Sequence, residues 1–78
     1  MKHNIILAIM NKFQRETLKL RVLKLAALRS TGRPVDLAFR FEISVRSVKR
    51  IIKEMRDAGT EIRFSKARSS YVTEEDYQ

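Results

Sequence analysis

From about Arg15 to Arg29 the chain holds only residues that favour or tolerate a helix. Leu18, Val22 and Leu25 recur at helical spacing, which predicts a helix burying these three side chains. A second apolar series, Leu20, Leu23 and Ala27, falls nearly opposite the first at about 100° per residue. A helix apolar on two sides needs two partners. Upstream, Ile6, Met10 and Phe13 follow one another at spacings of four and three, which suits an amphipathic helix over Asn4 to Phe13; the apolar run Ile5 to Met10 is equally compatible with a buried strand.

Ser30, Thr31 and Gly32 close the first helix, and Pro34 fits the first position of a second, Pro34 to Phe41, where its missing N–H costs nothing. That helix offers Leu37, Ala38 and Phe41 to the core. Ser44 is an N-cap residue, and Val45, Val48, Ile52 and Met55 then mark the apolar face of a third helix over about Val45 to Ala58, ended by Gly59. Beyond Gly59 the period drops to two: Ile62 and Phe64 alternate with Glu61, Arg63 and Ser65. Lys66 to Ser69 read as a polar turn and Ser70 to Thr73 as a second strand, so the chain should end in a β-hairpin. The expected class is α+β, mostly α. Residues 1–14 form an N-terminal extension, 15–73 one folded domain, and 74–78 an acidic tail.

At 78 residues the chain suits one small domain, and its 44% apolar content is enough for a modest core. It has no cysteine and a single histidine, His3, so no disulfide, thiolate site or other metal site is expected, and no cofactor. Its longest apolar run, six residues, is far short of the roughly 20 that span a bilayer. Charge changes the picture more. Met1 to Thr73 carries 17 basic and six acidic side chains, a surplus of the kind that displaces counterions from a nucleic acid.

The third helix concentrates that surplus. Taking Arg46 as zero, Arg50 falls near 40°, Lys53 near 340° and Lys49 near 300°, so four cations cover about 100° of one face while Val48, Ile52 and Met55 lie opposite. A solvated helix face is usually of mixed sign, because alternating charges gain pairs four residues apart. Here Glu54 and Asp57 come only in the second half. Cations in the first turns oppose the helix dipole, so the pattern answers some demand other than helix stability. Duplex DNA meets that demand, because an arginine can grip guanine O6 and N7 bidentately and serine hydroxyls can donate to phosphate.

The stretch from Gly32 through Leu37-Ala38, Ile43-Ser44 and the basic helix to Gly59, followed by Ile62 and Tyr71, resembles the winged-helix domains of bacterial regulators of the biotin-repressor and DeoR type. The similarity covers about Thr17 to Thr73. It implies a winged helix-turn-helix: a three-helix core with a C-terminal hairpin wing, here extended at the N-terminus. It also places Ser44, Arg46 and Ser47 at the start of the recognition helix, with Lys49 and Arg50 facing phosphates or bases one turn later; Lys53 joins them through its helical spacing alone. In the wing, Arg63, Lys66 and Arg68 would reach the neighbouring backbone or the minor groove. Two departures stand out: Glu42 occupies a turn position where the family often has glycine, and Ser69-Ser70 stand where wing glycines are common.

The function expected is therefore sequence-specific binding of double-stranded DNA by a small bacterial regulator or an excisionase-type architectural factor, in the cytoplasm with the nucleoid. No nucleophile set or Gly-rich phosphate loop is present, so neither enzymatic activity nor a small-molecule substrate is expected, and no membrane role. The alternative is a winged helix used as a protein-interaction module, with the second stripe of the first helix as the working surface. That stripe also predicts a homodimer formed by Ile6, Met10, Phe13, Leu20 and Leu23.

Overall fold

A computed structural model describes residues 11–73. In order, these form α1 (Lys12–Ala27), α2 (Pro34–Phe41), α3 (Val45–Asp57), β1 (Ile62–Ser65) and β2 (Ser70–Thr73). The class is α+β and mostly helical, with a two-stranded antiparallel sheet after the three helices. Among the described residues no helix is long and apolar enough to cross a membrane.

Local chemistry accounts for each boundary. Asn11 has extended backbone (φ −84°, ψ 175°), and its side chain accepts from the Gln14 N–H at 2.8 Å while its own N–H donates to Gln14 Oε1 at 3.0 Å. This reciprocal capping box satisfies two orphan donors and starts α1 at Lys12, earlier than the apolar spacing alone predicts. Phe13 therefore lies on α1 itself, while Ile6 and Met10 fall outside the described residues, as does the acidic tail. Pro34 opens α2, and the Asp36 carboxylate accepts from the Arg33 N–H at 2.8 Å. Ser44 caps α3, its Oγ accepting from the Ser47 N–H at 3.0 Å.

All three helices end in the same way. Past α1 the Ser30 N–H donates to Leu25 O and the Arg29 N–H to Ala26 O; past α2 Ile43 donates to Ala38 and Glu42 to Phe39; past α3 Thr60 donates to Met55 and Gly59 to Arg56. Each closure requires one left-handed residue. Only the last, Gly59 (φ +98°), is a glycine; Arg29 (φ +56°) and Glu42 (φ +57°) adopt the conformation against their Cβ atoms. The departure at position 42 is thus accommodated by backbone strain.

The core gathers Leu18, Val22 and Ala26 of α1, Leu37 and Ala38 of α2, Val48, Ile51, Ile52 and Met55 of α3, and Ile62 and Tyr71 of the hairpin. Three expectations need correction. Leu25 is only half-buried at the margin, and Ala26, four residues beyond Val22, completes the α1 stripe. Val45 is exposed at the mouth of α3, and Ile51 is buried in its place. Leu23, expected on the outward stripe, packs against the core.

The hairpin pairs Ile62 with Thr73, Arg63 with Val72, Phe64 with Tyr71 and Ser65 with Ser70. The Phe64 and Tyr71 rings meet edge to face, with centroids 5.2 Å apart. Ser70, Tyr71 and Val72 are buried in succession, so β2 is covered on both faces and loses the alternation seen in β1.

Candidate nucleic-acid interface

One side of α3 is committed to the core, which fixes the other side outward. Val48, Ile51, Ile52 and Met55 anchor the helix; Arg46, Lys49, Arg50 and Lys53 are all exposed on the opposite side. Among the described residues Arg46, Lys49 and Arg50 make no ion pair. Lys53 differs, because its ammonium donates to Asp57 one turn on, at 3.0 Å. The unpaired cationic ridge is therefore confined to the first two turns.

The two serines at the head of α3 have unequal freedom. Ser44 Oγ accepts the Ser47 N–H and donates its own proton to Ser47 Oγ at 3.0 Å, so this hydroxyl is occupied as a cap. Ser47, half-buried, keeps its hydroxyl proton for another acceptor. Of the pair expected to donate to phosphate, only Ser47 is in a state to do so without disturbing the cap.

Tertiary contacts hold the ridge in place. In the C-terminal half of α3, Glu54 accepts from Lys19 of α1 at 2.9 Å; Lys19 also donates to Glu16 at 3.0 Å, and Arg15 lies 3.9 Å from Glu54. The Lys19 ammonium holds the Glu54 carboxyl below the usual carboxylate range, and Glu54 followed by Glu16 pushes Lys19 above the usual amine range. At the C-terminal end, Arg56 Nε donates to Ile62 O at 2.8 Å and joins α3 to β1. Arg56 is thus a strut and Glu54 an anchor, and neither belongs to the exposed ridge. The spacing of charges along one helix carried no sign of either role, because both partners lie on other elements.

The hairpin supplies a second group of cations. Lys66 and Arg68 are exposed on the turn, where the Ser69 N–H donates to Lys66 O at 3.2 Å and the Arg68 N–H to Ser65 Oγ at 3.3 Å. Ser69 takes the left-handed conformation (φ +51°) that a glycine would fill without strain. Arg63, on β1, is exposed but already engaged within the protein.

Ser70 is the residue that sequence reasoning overlooked. Its Oγ accepts the Thr31 N–H at 3.0 Å, lies 3.0 Å from Thr31 Oγ1 and reaches Tyr71 O at 2.8 Å; Thr31 Oγ1 in turn accepts the Tyr71 N–H at 2.7 Å. This buried cluster fastens the loop after α1 to β2, and so sets the hairpin against the helices. A glycine at position 70 would remove it.

The remaining predicted residues divide. Phe13 is 78% exposed and Leu20 67%, both on the side of α1 away from the core, whereas Leu23 turns partly inward. Comparison of the chain with family models, with curated proteins and with solved structures finds no match, so what the basic face binds rests on its own chemistry.

Proposed function

We propose that the chain is a winged helix-turn-helix domain that binds double-stranded DNA, with α2 and α3 as the helix-turn-helix pair and the β1–β2 hairpin as the wing. The observation that carries this reading is the exposed run Arg46, Lys49 and Arg50 on the outward face of a helix whose other face is the core. None of the three is in an ion pair among the described residues, although the Arg50 charge acts on Glu54 one turn on. An α-helix fits the major groove of B-DNA, and there arginines can read base edges. Arg46 and Arg50 take that role, Lys49 meets the backbone, and Ser47 donates to a phosphate. Lys66 and Arg68 on the wing turn contact the adjoining backbone. A small regulator or an architectural factor working on DNA in the cytoplasm would use such a face.

The test is a salt titration of binding to duplex and to single-stranded DNA of equal length, followed by selection of preferred sites. Duplex preference, with the logarithm of affinity falling linearly against the logarithm of salt, is expected. Failure to bind duplex at about 50 mM salt, or preference for the single strand, overturns the reading.

A further inference from the structure

Phe13, Leu20 and Ala27 succeed one another every seven residues along α1, so they share one stripe within about 40° of the helix circumference. The core stripe of Leu18, Val22 and Ala26 lies across the helix from it. Phe13 and Leu20 are the largest apolar side chains on this side and are mostly exposed; Leu23, half-buried, continues the seam toward the core. The charged positions four residues to either side of Leu20 are Glu16 and Lys24, both exposed and of opposite charge. Glu16 also accepts from Lys19 on α1 at 3.0 Å, which leaves its second oxygen for a partner.

We infer that α1 pairs with α1 of a second copy, antiparallel, about a two-fold axis passing at Leu20. In that register the residue n positions before Leu20 lies level with the residue n positions after it in the other copy. Leu20 then meets Leu20, the bulky Phe13 sits over the small Ala27, and Glu16 is level with Lys24; each of the last two contacts occurs twice by symmetry. Large over small and acid beside base are what allows two identical faces to close at the 8–10 Å separation of packed helices. A parallel pairing would set Phe13 on Phe13, Glu16 on Glu16 and Lys24 on Lys24, with like charges facing. The stripe borders only the C-terminal half of α3, where Leu20 and Leu23 line a groove with Glu54, Met55 and Ala58. Arg46, Lys49 and Arg50 lie outside that groove on the first two turns, so the pairing is independent of what that ridge binds.

The apolar seam is short, at the small end of specific interfaces, so assembly belongs at about tens of micromolar. Sedimentation of the full chain at such concentrations, without DNA, is expected to show a dimer. Glu16→Lys alone and Lys24→Glu alone should each raise the dissociation constant by about tenfold or more. Mixing those two variants should restore assembly as a heterodimer, since each Glu16 and Lys24 contact then again joins opposite charges. The protein has no cysteine, so Leu20→Cys reports directly on the axis: under mild oxidation it should cross-link to itself far faster than Lys66→Cys on the hairpin turn. A mixture of Phe13→Cys with Ala27→Cys should cross-link chain to chain. A monomer at these concentrations, with cover of the stripe by residues 1–10 of the same chain as one cause, overturns the proposal. So does a dimer in which the two charge variants fail to rescue each other.

Discussion

Thr31 and Ser70, 39 residues apart in sequence, bring their hydroxyls to 3.0 Å in a buried contact. Each is also the acceptor for a backbone N–H, Tyr71 for Thr31 and Thr31 for Ser70. Either hydroxyl can donate to the other, with Gly32 O or Tyr71 O taking the remaining proton. Every donor in the cluster is therefore satisfied, which is the condition for tolerating polar groups in so small a core.

Thr31→Val keeps the shape and removes the acceptor, leaving the Tyr71 N–H buried and unpaired. The expected loss is about 1 to 3 kcal/mol, read from urea unfolding. Ser70→Ala should cost a similar amount, and the double variant less than both together, because the two share one network. Separate losses below about 0.5 kcal/mol would show that the cluster does not hold the hairpin in place.

Adjacent serines should respond to glycine in opposite directions. Ser69 is exposed with φ +51°, so Ser69→Gly relieves Cβ strain and is expected to stabilise by about 0.5 to 1 kcal/mol. Ser70→Gly deletes the buried hydroxyl and should destabilise. Thermal unfolding followed by circular dichroism distinguishes the two; melting temperatures moving in the same direction would contradict the assignment.

Acid should weaken the contact between α1 and α3. The folded-state pKa of Glu54 lies below its ordinary value, chiefly through its hydrogen bond from Lys19, so its contribution is present above the ordinary carboxylate range and is lost as pH falls through the depressed value. Asp36, held down by Arg33, adds in the same direction. Lys19 is raised, so its contribution is complete below the ordinary amine range and disappears only at high alkalinity. Glu54→Gln should therefore flatten the acid limb of stability against pH, while costing under about 1 kcal/mol at neutrality because the pair is partly solvated. An unchanged acid limb would refute this origin.

On the DNA side, Arg46→Ala and Arg50→Ala should each weaken binding to a preferred duplex, at least one of them by about 1 to 3 kcal/mol with relaxed sequence preference. Lys66→Ala should weaken all duplexes more evenly and reduce the salt slope by about 1. Lys53→Ala is expected to matter less than Lys49→Ala, because Asp57 already neutralises Lys53. Quantitative electrophoretic shifts at several salt concentrations provide the comparison; negligible losses at both Arg46 and Arg50 would remove α3 from the groove.

Whatever depends on period and local chemistry was legible in the chain itself. The three helices, the N-cap at Ser44, the terminator at Gly59, the hairpin and the outward direction of Arg46, Lys49 and Arg50 all follow from spacings within a few residues, because backbone geometry converts such spacings directly into faces. Contacts between distant residues required the tertiary fold. Lys19 with Glu54, Arg56 with the carbonyl of Ile62, and Thr31 with Ser70 each join two elements, and no pattern within one element reveals which polar residue has a partner on another. The same reason explains Ala26, Ile51 and Leu23: how much of an apolar side chain is buried depends on the angle at which a second helix or the hairpin meets the first. Left-handed Arg29 likewise carried no sign in the sequence, since its residue type does not favour that conformation, whereas Glu42 and Ser69 stand at positions where the resembling domains often carry glycine.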